Sequence, residues 1–166
     1  MLTRLLVIFS ALLISFSTNA APTPLGVEMG KSTINDIKNM YEIEEQNYHH
    51  DGIAYTIKIS SISEEKLGKL GKLDKVFIWC DGKNVIQNMV LVLNRAKFDG
   101  IISYFSSSYQ LIDCNPDKDR SAEIDLFAKF KDGDHKILLS APKNKDELII
   151  DYYAPIFMDR NYKPKK

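Results

Sequence analysis

The chain has 166 residues, with 22 basic and 22 acidic side chains and a formal net charge of zero. That balance gives no electrostatic case for nucleic-acid binding, which rests on an excess of clustered Lys and Arg. A hydrophobic content of 45% supplies the core of one ordinary domain without reliance on staples.

Met1 to Ala20 carries one basic residue, Arg4, an apolar run from Leu5 to Phe16, and small residues at Thr18-Asn19-Ala20. This is the pattern of a secretory signal peptide. The apolar run is about a dozen residues, short of the roughly 20 a membrane span needs. Cleavage after Ala20 is expected to release a periplasmic protein. No Cys stands near that point to take a lipid. Residues 21–166 are expected to form a single domain ending in a basic tail, 160–166. There Arg160, Lys163, Lys165 and Lys166 suit at most a weak contact with anionic lipid.

After the stiff Ala21-Pro22-Thr23-Pro24, apolar residues at Ile34, Ile37 and Met40 predict a short amphipathic helix over Thr33–Met40. Ser32 or Thr33 is its natural N-cap. Strands follow, signposted by three Asp-Gly pairs at Asp51-Gly52, Asp81-Gly82 and Asp132-Gly133. Such pairs favour tight hairpins, because glycine takes a positive φ without strain. Tyr41–His50 is therefore expected to pair with Ile53–Ser61, Lys75–Cys80 with Val85–Asn94, and Ala122–Lys131 with His135–Ser140. Lys66–Leu73 repeats Lys-Leu-Gly and reads as a mobile loop whose leucines touch the core. Phe98, Ile101, Ile102, Phe105 and Tyr109 recur at helical spacing over Lys97–Tyr109. Gln110–Cys114 and Glu147–Tyr153 read as short strands. The expected fold is α+β: one domain of two helix-plus-antiparallel-sheet halves, in the order α-β4-α-β4, with helices on one face of the sheet.

Chemistry is sparse. Gly30-Lys31-Ser32-Thr33 resembles a phosphate loop, but Leu25 stands where that loop needs a glycine. His49 and His50 point to opposite faces of a strand and do not close on one metal ion. Ser106-Ser107-Ser108 lies in a helix without the turn of a nucleophile elbow. Asp113, Asp117 and Asp119 do not fit the register of a calcium loop. No catalytic residues, metal site or cofactor is expected. Cys80 and Cys114 are expected to form a structural disulfide in an oxidising compartment.

Aromatics are the stronger signal. Phe127 falls on the polar side of its strand, Tyr152 and Tyr153 must face opposite ways, and Trp79 alternates with Phe77 against Val76 and Ile78. Some must lie outside a single core, and aromatic surface on a sheet suits binding. Phe127, Tyr153 and Trp79 are the candidate contacts for a protein partner.

Leu25-Gly26-Val27-Glu28-Met29-Gly30-Lys31-Ser32-Thr33…Ile37 resembles the opening of repeats in the β-lactamase-inhibitor protein and in small outer-membrane assembly lipoproteins. The lipidation Cys is missing, and the second half has no matching Gly-Thr opening. Between Gly71 and Tyr153, Lys97-Phe98-Asp99…Tyr109-Gln110-Leu111 and Ile137-Leu138-Leu139-Ser140-Ala141-Pro142 resemble small exported proteobacterial proteins of unknown function. These resemblances imply export and a helix-and-sheet fold, and no activity. The functional expectation is a soluble periplasmic protein-binding or inhibitory module without catalysis. The alternative is an envelope accessory protein that binds membrane lipid or a small apolar ligand.

Overall fold

The computed structural model describes residues 23–114 and 124–155, together with Phe157. The signal segment, the basic tail and the acidic positions 117 and 119 lie outside these residues.

Strand β1 spans Ile43–His49, β2 Gly52–Ile57, β3 Lys75–Asp81 and β4 Ile86–Asn94. Then come β5, Gln110–Asp113, β6, Ile124–Asp132, β7, His135–Pro142, and β8, Glu147–Tyr153. All eight form one antiparallel sheet in the order β1-β2-β3-β4-β8-β7-β6-β5. The join between β4 and β8 runs unbroken from Asn88–Tyr153 to Asn94–Glu147. That join overturns the expected arrangement of two helix-plus-sheet halves. Seven positions of β4 are buried and Val90 is partly so, the profile of a strand with neighbours on both edges and cover on both faces. An edge strand of a separate half-sheet would show polar alternation instead.

Helices are few and short: α1 is Ile34–Met40, α2 Glu64–Leu67 and α3 Phe98–Ser106. The start of α1 is fixed by Asp36, whose carboxylate accepts the Thr33 N–H at 2.7 Å and the Thr33 hydroxyl at 2.9 Å. The reach of Asp36 back to the N-cap amide is the N3 arm of a capping box, and the two bonds lower the Asp36 carboxyl below its ordinary value. Ile34 and Ile37 of α1, and Phe98, Ile101 and Phe105 of α3, pack into one cluster with inward residues of the sheet. Phe105 is its hinge point, meeting Phe130 edge-on at 5.6 Å and Tyr152 at 6.2 Å between ring centres.

The Lys-Leu-Gly segment is more ordered than expected. It forms α2 and a 3-10 turn over Gly68–Leu70, and Leu70 and Leu73 are buried. Lys97 Nζ ties it down, donating to the carbonyls of Leu70 at 2.9 Å and Lys72 at 3.2 Å. Gly71 has φ 65°, and a Cβ there would stand 2.9 Å from that ammonium.

The two edge strands are polar or short. On β1 every residue after Ile43 is exposed, and β5 has four residues, all exposed. Both features discourage edge-to-edge pairing.

The expected disulfide is absent, and topology explains why. Cys80 lies on β3, whereas Cys114 follows β5 at the far edge of the sheet. Five strand spacings separate them, on the order of 20 Å, beyond the ~7 Å limit for bridging. Both are free. Burial first, and then the neighbouring Asp81 charge, push the Cys80 thiol up to about 12, so it stays protonated and inert.

Candidate functional site

Alternation along each strand sends one set of side chains to α1 and α3 and the other to the opposite, outer face. On β3 the inward set is Val76, Ile78 and Cys80, all buried. The outward set is Phe77, Trp79 and Asp81, and Phe77 remains 37% exposed. On β8, Leu148, Ile150 and Tyr152 point inward and are buried. Ile149, Asp151 and Tyr153 point outward and are partly buried.

Register places these outward groups in rows. One row runs Phe77, Val90, Asp151, Leu138 across β3, β4, β8 and β7. The next runs Trp79, Asn88, Tyr153, Lys136. Beyond β8 the chain turns back, with the Ala154 N–H donating to the Gln87 carbonyl at 2.9 Å. This brings Phe157 over the second row. Its ring meets Trp79 edge-on at 5.0 Å and stacks on Tyr153 at 5.7 Å. Trp79 and Tyr153, two of the three expected contact residues, thus join through a third ring.

Phe127 does not join them. It is outside the inner cluster yet only 7% exposed, and it pairs with Ser140, which pairs with Ile149. Four residues of β8 separate that row from Tyr153, roughly 13 Å along the strand. The expectation that Phe127 is a surface contact is corrected: it is buried.

Asp151 occupies the middle of the face, between Val90 and Leu138. Burial pushes its carboxyl up to about 6, against the opposing effect of hydrogen bonds from the side chains of Asn88 and Tyr153. Burial and the Asp151 charge hold the Tyr153 phenol well above its ordinary value, so Tyr153 is the proton donor of that pair. Asn88 Nδ2 also donates to the Tyr152 carbonyl at 3.1 Å, and Asn88 is buried. No ion pair reaches Asp151 among the described residues. At one end of the face a cleft of about 290 Å³ is lined by His49, Asp51, Trp79 and Phe157.

A second polar knot lies nearby. Gln87 Nε2 donates to Asp81 at 3.0 Å, and the other Asp81 oxygen accepts from the Lys83 and Val85 N–H groups. The Gln87 side-chain oxygen is buried without a hydrogen-bond partner among the described residues. These bonds close the β3–β4 turn, in which Asn84 takes φ 61°.

Elsewhere the motifs have structural roles. Ser107 donates to the Tyr104 carbonyl at 2.7 Å and ends α3. His49 and His50 are exposed at the tip of the β1–β2 hairpin. Among the described residues no three His, Cys, Asp or Glu side chains gather as a metal site, and no helix is long and apolar enough to cross a membrane. No protein-family model, curated protein or solved structure matches this chain. The resemblances drawn from its segments therefore carry no family assignment.

Sequence reasoning missed Asp151, Asn88 and Phe157. The first had a signal: Asp151 is the single charge inside Leu148-Ile149-Ile150-Asp151-Tyr152-Tyr153. Phe157 had none, since it lies past the last strand and acquires its role from the turn at Ala154.

Proposed function

We propose that this protein is an exported, non-catalytic module that binds another protein through the outer face of its sheet. The observation that carries the reading is the gathering of Trp79, Tyr153 and Phe157 on the face opposite α1 and α3, with Phe77 exposed in the adjoining row. Amphipathic aromatic groups of this kind act as anchors at protein interfaces, where a few such residues dominate affinity. A sheet face carrying them on rigid, paired strands loses little conformational entropy on binding.

Affinity capture from a periplasmic extract tests the reading. The expected result is one stoichiometric protein, retained by the wild-type chain and lost by Trp79→Ala and Tyr153→Ala variants that remain folded. Co-purifying lipid or a small apolar molecule, with no protein, would favour an envelope accessory role instead.

A further inference from the structure

A carboxylate at the middle of an apolar sheet face works against stability, because burial penalises its charge. Hydrogen bonds from Asn88 and Tyr153 relieve it only in part, and no cation among the described residues completes the task. From β4 it meets Val90 and Asn88, from β7 Leu138, and along its own strand Ile149 and Tyr153. The cations nearest by register are Lys136, opposite Tyr153, and Lys129, opposite Leu138. Neither forms an ion pair with it.

We propose that the outer face takes a basic segment of a protein partner, one cationic side chain seating on Asp151 beside the Trp79–Phe157–Tyr153 rings. This rests on the binding-module reading and names the chemistry of its partner.

Three arguments carry it. First, any partner that covers the face removes the remaining water from Asp151. A purely apolar partner would leave a buried, unpaired charge, which is strongly unfavourable, whereas a Lys or Arg compensates it. Second, the ring strip begins at Tyr153, next to Asp151 along β8, and runs through Phe157 to Trp79. Tryptophan is the aromatic that best attracts a cation over its face, so a second basic side chain of the segment has a place there. Third, the cleft at the end of the aromatic strip supplies another carboxylate, Asp51, and among the described residues no Lys or Arg lines that cleft. Acids on both sides of the strip repel an anionic ligand. A bare metal ion is a poor fit, since a hard cation seeks about six oxygen ligands and Asp151 offers one carboxylate.

Trp79 is the chain's one tryptophan, so its emission reports on this face alone. The probe is an acetylated and amidated Leu-Arg-Leu-Arg-Leu peptide, compared with peptides carrying citrulline or Glu in place of Arg. Citrulline keeps the shape of Arg and removes its charge. The arginine peptide should change Trp79 emission saturably, bind about tenfold more tightly than the citrulline peptide, and weaken with salt. The glutamate peptide should not bind. Asp151→Asn should erase the preference for arginine over citrulline while the variant stays folded by circular dichroism, an outcome a merely structural role would not produce. Equal binding of the arginine and citrulline peptides would overturn the cationic assignment and leave the binding-module reading standing. Tighter arginine binding that survives unchanged in Asp151→Asn would overturn the role of Asp151. No saturable change with either peptide would overturn the proposal, and partner capture would then decide the broader reading separately. Binding of the arginine peptide only after removal of residues 158–166 would assign the cation to the chain's own basic end, against a partner.

Discussion

The two faces of this sheet are built from the same strands and obey different rules. On the inner face, Ile78, Met89, Leu91, Ile137, Leu139 and Ile150 are all essentially inaccessible and meet α1 and α3. On the outer face the intervening positions of those strands hold Phe77, Trp79, Asn88, Asp151 and Tyr153, a mixture no core would choose. Residue type on the inner face follows from burial alone. The outer face departs from that rule at one central charge and three adjoining rings, and departures of this kind concentrate where a protein meets its ligands.

The contrast breaks most visibly at Phe105. It is almost fully buried and anchors α3 on Phe130 and Tyr152. Phe105→Ala should lower unfolding free energy by about 3–5 kcal/mol, measured by urea denaturation. Phe127→Ala sharpens the comparison. Although it lies outside the inner cluster, Phe127 is 7% exposed, and its loss should cost about 2–4 kcal/mol. A change below about 0.5 kcal/mol would return it to the class of surface contacts.

Asp151→Asn should move stability the other way. Removing the penalised charge should raise unfolding free energy near pH 7.5 by about 1–2 kcal/mol, after allowing for the water that still reaches the group. Trp79→Ala should cost about 1 kcal/mol, since the ring is partly buried and gives up one edge-on contact. Tyr153→Ala should cost somewhat more, since it gives up a stacked ring and a hydrogen bond to Asp151. Thiol labelling separates the cysteines without any mutation. Cys114 is exposed and should react with a disulfide reagent at once, whereas Cys80 should react only on unfolding. Slow labelling of both in the native state would contradict their placement.

Much of the local structure was legible from residue chemistry. The reading of Glu147–Tyr153 as a strand matches β8 at both ends, because the mainly apolar run begins after the charged Asp146-Glu147 and stops before Pro155. The Asp-Gly pairs mark the turns between β1 and β2, β3 and β4, and β6 and β7. Of their glycines, however, only Gly133 takes the positive φ on which that reading rests, and Asn84 takes it in the β3–β4 turn. Sheet order was not legible. β4 joins β8 across more than fifty residues of sequence, and that choice depends on burial of both strands together, which no short window contains. The expected two-half arrangement failed there, and with it the disulfide, because β5 lies five strand positions from β3, which carries Cys80. For the site, Trp79 and Tyr153 were visible as strand aromatics, but their meeting through Phe157 depends on a turn after the last strand. Asp151 was visible only as an exception to an apolar run.

Asp151 is the central charge of the outer face, and its hydrogen bonds from Asn88 and Tyr153 offset its burial only in part. Its folded-state value of about 6 lies above the ordinary 3.8, so the folded chain takes up this proton before the unfolded chain does. The destabilisation is therefore full above about pH 6 and is relieved as pH falls towards about 4. Urea unfolding of the wild-type chain and Asp151→Asn, compared from pH 8 to pH 4, measures it directly. The expected result is a variant that is more stable at pH 7.5, with the difference shrinking steadily below pH 6. A variant less stable than wild type at pH 7.5, or a difference independent of pH, would contradict it.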